Sequence, residues 1–453
     1  MARNLFRSRI GLIAATVGSA IGLGNVWRFP AETQANGGAA FLLLYIVCVL
    51  VLGVPVMLAE FSLGRGGRSD VIGVFRRLAP RTPWWLTGLA AVLASYLIIS
   101  FYMVVAGWTL EYLWESLTGD LYHAIGSGTD AMRAHFAGKM EEYICTDARP
   151  LVFTLLMILI NIGVLAAGVQ KGIERLSNIM MPLLFVIMLV LLVVTLSLPR
   201  AAEGVAFFLS PDFSSITPAV VVSALGQALF SLSLGAGTII TYASYYPDNT
   251  RLGRTSMIVA SLSVLVAVLM GLIIFPAITS FGITDAAFGG STLVFATLPE
   301  VFAHMPGTIV WSSLFFLLLL VAALTSTVSI AEVPVAMLRD RFGLQRLPAV
   351  LIVMVPLLIF SSLCSLSFGS LSTLTIGGMT MFELFDSATT NVLMPFVALT
   401  ECVFLGWFAP RHLLHDQLSN GGSIASPYTT VVQAAIRYLA PALILVIAIS
   451  NYL

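Results

Sequence analysis

The sequence predicts an all-α, polytopic membrane protein, and three observations carry that reading. Charged residues make up only 10% of the 453 and hydrophobic ones 58%, against roughly 25% charged in a soluble domain. Apolar runs long enough to cross a bilayer recur from end to end, where a membrane β-barrel would show short alternating segments. Finally, two of these runs are interrupted by glycines near their middles, each standing first in a set of five.

Eleven helices are expected near 9–35, 38–64, 86–117, 150–167, 173–197, 217–245, 253–281, 307–338, 347–367, 375–408 and 428–451. The stretch 118–149, with Asp120, Arg133, Lys139, Glu141, Glu142 and Asp147, reads as an external loop. Counting Lys and Arg orients the chain. With the N-terminus cytoplasmic, the inner segments hold sixteen of the 22: Arg3, Arg7 and Arg9; Arg65, Arg68, Arg76, Arg77 and Arg81; Lys171 and Arg175; Arg251 and Arg254; Arg339, Arg341 and Arg346; and Arg411. The outer segments hold Arg28, Arg133, Lys139, Arg149 and Arg200, and Arg437 lies within the last helix. Cytoplasmic excess of Lys and Arg sets orientation, so the expectation is N-terminus in, C-terminus out. Arg3, Arg7 and Arg9 before an apolar stretch imitate a signal peptide, but GLGNVWRFP follows without a small-residue cleavage site, so retention of the start is expected.

Other chemistries find little support. The net charge is zero, and no basic patch tracks a nucleic-acid backbone, so no nucleic-acid partner is expected. Cys48, Cys145, Cys364 and Cys402 show neither CxxC nor Cys/His spacing, and only Cys145 falls in a loop, so neither a disulfide framework nor a zinc site is expected. GRGGR at 64–68 lacks the spacing of a phosphate-binding loop. Glu32, Glu60, Glu332, Glu383 and Glu401 fall on different helices, which argues against an enzyme; Glu60 and Glu332 read as packing or gating residues. No obligate protein partner is evident, and membrane lipid is the expected surround.

The two interrupted helices carry the chemistry. The first reads IGLIAATVGSAIGLGNVWRFP, with Gly18, Gly22 and Gly24; the sixth reads ALGQALFSLSLGAGTIITYASYYP, with Gly235 and Gly237. Glycines in membrane helices also serve close packing, but breaks at matching positions of two halves point to a binding site at mid-depth. Unwound backbone survives there only where protein or a water-filled cavity satisfies it. Carbonyls ending one half-helix suit Na⁺, and amides beginning the next suit a carboxylate. Ala20–Gly24 offers both within one turn, Asn25 adds a side-chain oxygen, and Ser231, Ser233 and Thr238 add hydroxyls. Helix 8 contributes Thr325, Ser326 and Thr327. Together they meet the need of a hard cation for several oxygens.

At Gly18–Pro30 the chain resembles the neurotransmitter:sodium symporter family, bacterial amino-acid branch, eleven-helix type. The likeness continues through NGGAAFLLLYI at 36–46, GVPVMLAEFSLGR at 53–65, GQALFSLSLGAGTIITYASY at 226–245 and ALTSTVSIAEVPVA at 323–336. The resemblance implies one transporter domain over 1–453: an inverted repeat of helices 1–5 (9–197) and 6–10 (217–408), plus helix 11 (428–451), in the inner membrane of a bacterium. It implies sodium-coupled symport of an amino acid by alternating access.

Carried over by motif, one sodium site would use Ala20, Asn25, Ser231 and Ser263, completed by the substrate carboxylate. A second would use carbonyls of Gly18, Ile21 and Ala322 and the hydroxyls of Thr325 and Ser326. The substrate would lie against Ala20, Gly24, Ile98, Tyr102, Phe230, Ser231, Ser233, Ala236, Ser326 and Ile330, with Tyr102 donating to its carboxylate and Phe230 as lid. Arg28 with Asp386 resembles an outer gate pair, and Arg3 with Asp340 an inner one. Asp386 stands out independently, because carboxylates in membrane helices are costly and usually functional.

Three departures from the family pattern matter. Ser263 stands where an Asn or Asp is usual, and Ala267 one turn later is not acidic either. With Tyr45, Gln227, Ser231 and Ser263 at chloride-site positions, the chain either needs Cl⁻ or has a weakened first sodium site. Phe6 replaces an N-terminal Trp, which implies a looser inner gate, and Ala236 replaces a bulkier pocket residue. Gly22 occupies the place of the aspartate of monoamine carriers, so the ligand should bring its own carboxylate. The expected substrate is a large hydrophobic or aromatic L-amino acid. The alternatives are an amino-acid sensor on the same fold, or a carrier for another small carboxylated amine.

Overall fold

The structure is a computed structural model that describes residues 5–123, 125, 128–283 and 290–450. Among these, nine helices are long and apolar enough to cross a membrane: Ala39–Gly67, Trp85–Thr118, Ala148–Ala166, Val169–Leu196, Leu252–Ser280, Thr308–Phe342, Arg346–Leu366, Met381–Phe408 and Thr429–Ser450. A tenth crossing is a pair, Arg9–Ala20 and Gly24–Ala35, bent by 54° at the break. Between the fifth and seventh crossings lies a split helix, Pro218–Ser231 followed by Thr238–Ala243. Numbered in chain order these are spans 1 to 11, so all eleven expected helices occur, with breaks in the first and sixth.

Local chemistry explains where several elements begin. Thr217 accepts from Val220 N at 3.3 Å, with Pro218 at the first helical position, and Asp70 caps a short helix, Val71–Leu78, through Ile72 N and Gly73 N. Thr380 and Glu383 form a reciprocal capping box that starts span 10. The perimeter is apolar: Leu347, Leu351, Val355 and Ile359 of span 9, four residues apart, are all exposed, as a lipid-facing stripe requires.

The stretch 118–149 departs from expectation. It contains a helix, Thr129–Cys145, which buries Phe136, Met140 and Tyr143. Their i, i+4, i+7 spacing is a helical signal, masked by surrounding charges that made the stretch read as loop. Helices also occupy Ala201–Leu209, Leu293–Ala303 and Leu413–Leu418.

The arginine-rich ends of the spans gather together. Arg65 at the end of span 2 donates to Gln417 Oε1 (2.7 Å) and to the carbonyl of Thr250 (2.6 Å), tying the links after spans 10 and 6. This is the basic end of the molecule, and the opposite one is the far end. Spans 3 and 8, of 34 and 35 residues, pack along each other and flank both breaks. Tyr102 of span 3 reaches Leu23 N, and Tyr242 of span 6 reaches Ser329 of span 8.

Candidate substrate and sodium site

The break in span 1 begins where Ile21 turns extended (φ −92°, ψ 95°), and the helix resumes with a wide turn over Gly24–Arg28. The break in span 6 is sharper. Ser233, Gly235 and Gly237 all have left-handed φ, at 54°, 76° and 72°. Glycine relieves that strain at 235 and 237, while Ser233 tolerates it with its hydroxyl donating to Ser19 O at 2.7 Å, which pins one break to the other. At Gly235 a Cβ would strike the backbone carbonyl of Met394, so no side chain fits.

The freed backbone groups find partners, as a membrane interior demands. Leu23 N–H donates to the Tyr102 hydroxyl (2.9 Å), Gln227 Nε2 to Gly24 O (3.0 Å), and Gly235 N–H to Glu60 Oε1 (2.8 Å). The other Glu60 oxygen, Oε2, and both carboxyl oxygens of Glu401 are buried without a hydrogen-bond partner among the described residues. Because Tyr102 accepts from Leu23, its own hydrogen is left to donate. Gly22 lies beneath it: a Cβ there would come within 2.6 Å of Ser326 Oγ and 2.9 Å of Tyr102 OH, leaving no room for an acidic side chain.

Between the breaks lies a cavity of about 40 Å³. Nine of the ten residues expected against substrate line it: Ala20, Gly24, Ile98, Tyr102, Phe230, Ser233, Ala236, Ser326 and Ile330. Ser231 does not. Its hydroxyl is turned away, accepting from Tyr45 OH at 2.9 Å and donating to Ala228 O. Met394 of span 10 also lines the cavity and was missed; an apolar residue in an apolar helix carries no sequence signal. Phe230 closes the far side, its ring lying where a Gly24 Cβ would be, 2.6 Å away.

The residues expected to hold sodium form two groups. In the first, Asn25 Nδ2 donates to Ser263 Oγ (2.7 Å) and Ser263 O (3.1 Å), while Oδ1 is buried without a hydrogen-bond partner. An orphaned amide oxygen fits a cation, which supplies the positive charge no donor provides. In the second, Ser326 Oγ lies 3.4 Å from both Gly18 O and Ile21 O, and Thr325 Oγ1 lies 3.1 Å from Ala322 O. All five expected groups thus converge between spans 1 and 8, with oxygens only, as a hard cation prefers. Tyr45, Ser231 and Ser263 are linked as well, since Ser263 Oγ donates to Ser231 O at 3.2 Å. Gln227 reaches the same break through Gly24 O, leaving its Oε1 without a partner.

The gates differ from expectation. Arg28 and Asp386 both line a vestibule of about 620 Å³ at the far end, above Phe230, but they are not paired. Arg28 is held by Glu32 (3.7 Å) on its own helix and by the face of Phe230, 4.6 Å from the guanidinium, and Asp386 accepts from Thr390 at 3.1 Å. At the basic end Asp340 accepts from Asp70 N at 2.8 Å, and Arg3 lies outside the described residues. Phe6 is fully packed against Tyr242, Tyr245 and Tyr246. A latch that sequence reading placed only as packing or gating completes this end. Arg346 grips Glu332 through two bonds of 2.7 and 2.6 Å, with Tyr245 OH donating to the same carboxylate at 2.8 Å.

A membrane-embedded helical bundle with two broken helices meeting at a small central cavity has the architecture of a secondary transporter. The sodium:neurotransmitter symporter family model matches residues 3–133 and 139–453, and the chain belongs to that family. It is 37% identical over 446 residues to the sodium-dependent transporter YhdH of Bacillus subtilis, covering 97% of this chain and 96% of that one. It is 32% identical to a sodium-dependent transporter of Haemophilus influenzae, over 99% and 98% of the two chains. The crystal structure of MhsT in complex with L-phenylalanine is similar over 99% of this chain and 100% of that one, with TM-score 0.89 and 39% identity. The protein is a sodium-dependent symporter.

Proposed function

We propose that this symporter carries an L-amino acid with a large hydrophobic or aromatic side chain, together with two sodium ions, by alternating access. The observation that carries this reading is the Tyr102 hydroxyl. It accepts from Leu23 N–H and so has its proton free to donate into the cavity, beside a Gly22 that excludes an acidic side chain. A ligand carboxylate would accept a hydrogen bond from that hydroxyl and complete the first sodium site next to Asn25 Oδ1. Its amine would meet the hydroxyl of Ser326 and backbone carbonyls at the breaks. Ile98, Phe230 and Ile330 offer an apolar wall, and the similarity to MhsT, solved with L-phenylalanine, supports the class.

The 40 Å³ cavity holds about three waters by the volume one water needs, so an aromatic side chain must move its walls. Ala236 contributes little bulk, and Met394 is an unbranched, adaptable side chain that can swing aside. Chloride is the proposed co-ion, since the group formed by Tyr45, Gln227, Ser231 and Ser263 supplies neutral donors and no carboxylate. The protein sits in the cell membrane of a bacterium with its basic end cytoplasmic.

The test is uptake of radiolabelled tryptophan, leucine and glycine into proteoliposomes under an inward sodium gradient, with a potassium control. Accumulation favouring tryptophan or leucine is the expected result, and preference for glycine sinks the pocket argument. Equal rates with chloride and gluconate remove the chloride assignment. Binding without accumulation replaces the carrier with a sensor.

A further inference from the structure

Arg437 lies inside span 11, eight residues from its start at Thr429, about 12 Å along the helix at the usual rise. No carboxylate of the described residues lies within ion-pair distance of it, and its buried Nε has no hydrogen-bond partner. Such a guanidinium is expensive in a membrane unless an anion meets it. Its position is nevertheless fixed. Gly406 of span 10 lets the backbones approach, a Cβ there coming within 3.1 Å of Arg437 Cα. Trp407 Nε1 donates to Arg437 O at 3.2 Å, and the guanidinium stacks 4.1 Å from the Trp407 ring.

Arg437, Arg411 and Gln433 line one pocket of about 350 Å³ between the basic ends of spans 10 and 11. Arg411 has no acidic partner among the described residues either. The nearby Asp416 is flanked by His412 (3.9 Å) and His415 (3.7 Å) instead. Trp407 lines the pocket and is itself half-exposed, and beyond it Phe408, Val431 and Tyr438 are exposed, forming an apolar lane on the lipid-facing perimeter.

We propose that this pocket binds the headgroup phosphate of an anionic phospholipid from the leaflet at the basic end. The phosphate would take charge-assisted bonds from both guanidinium groups, and the acyl chains would lie along the lane. Two unpaired cations argue for an anion. The apolar lane and the depth of Arg437 argue for one carried by a lipid.

The experiment is native mass spectrometry of the detergent-purified full chain, titrated with phosphatidylglycerol or with phosphatidylcholine of the same acyl chains. Phosphatidylglycerol adducts should dominate, and Arg437→Gln and Arg411→Gln should each lower their retention about fivefold, while Arg437→Lys keeps most of it. Arg411 lies in an exposed link, so its variant reads out even where Arg437→Gln fails to fold. Equal retention of the two lipids, or no loss in Arg411→Gln, overturns the proposal. Displacement of the lipid by millimolar inorganic phosphate also overturns it, by assigning the pocket to a soluble anion.

Discussion

At the basic end, Arg346 and Glu332 are joined by two short bonds, Tyr245 reinforces the carboxylate, and Arg346 Nε also donates to Leu165 O at 2.6 Å. Glu174 caps the start of span 1 by accepting from Arg7 N and Ser8 N. At the far end, Arg28 and Asp386 face one vestibule of about 620 Å³ without pairing, and Arg28 is occupied by a half-exposed carboxylate one turn along. Both ends use arginine and carboxylate, but one is desolvated and bridges separate spans, while the other is wet and local. A buried bridged pair resists opening because separating it strands a charge, whereas a solvated local pair resists almost nothing. On the proposed alternating-access reading, the difference corresponds to a carrier shut at its basic end, with the Phe230 ring lining both cavity and vestibule.

The largest effect should come from breaking the basic latch. Arg346→Ala leaves Glu332 buried with a single hydroxyl donor, and loss of one partner from a buried pair costs about 3–5 kcal/mol. The thermal midpoint should fall by several degrees, and a cysteine at Ser329→Cys should become reactive from the basic side. The double variant Arg346→Ala with Glu332→Ala should recover most of the loss, since no charge is then stranded. An unchanged midpoint in Arg346→Ala would mean that the latch is not what holds this end.

Next in size is the cavity between the two ends. Tyr102→Phe removes the hydroxyl that accepts from Leu23 N–H and that, on the proposed reading, donates to the ligand carboxylate. Leaving a buried donor unmatched costs about 1–3 kcal/mol, so substrate affinity should weaken roughly five- to 150-fold by equilibrium binding. Sodium binding at the Thr325–Ser326 group should persist, because Tyr102 is not among its oxygens. Equal loss of sodium and substrate binding would mean that the change collapses the break rather than the contact.

Much of this geometry was legible in the chain. The breaks were readable because glycines at 22, 24, 235 and 237 fall near the middles of helices at matching places in the two halves, and the structure spends two of them on left-handed φ and one on excluding a side chain above Ser326. The cavity residues followed from family likeness, and Phe230 and Ser326 sit in the segments 226–245 and 323–336 that carry it. Illegible features depended on pairing at a distance. Glu332 and Arg346 meet across the turn between spans 8 and 9, fourteen residues apart, and no periodicity reports that. The outer pair is unformed in this structure for a related reason. Likeness names the residues that pair in one state of a carrier, but the state is set by neighbours, here Glu32 and the face of Phe230.

The smallest effect on stability is expected at the far end, and it tests the comparison most sharply. Asp386→Asn removes a charge with no ion-pair partner among the described residues, and Arg28→Gln removes an i,i+4 pair worth about 0.3–0.5 kcal/mol when exposed. Each should move the thermal midpoint by less than the latch variants do, and a double-mutant cycle between them should give a coupling under about 0.5 kcal/mol without substrate. With sodium and substrate bound, closure over Phe230 would bring the two side chains together, and the coupling should rise above about 1 kcal/mol as the pair is desolvated. A coupling that large without substrate would mean that the far end is already latched, and the asymmetry between the ends would disappear. A coupling that stays near zero under both conditions would instead mean that Arg28 closes the vestibule through Glu32 and Phe230, leaving Asp386 to Thr390.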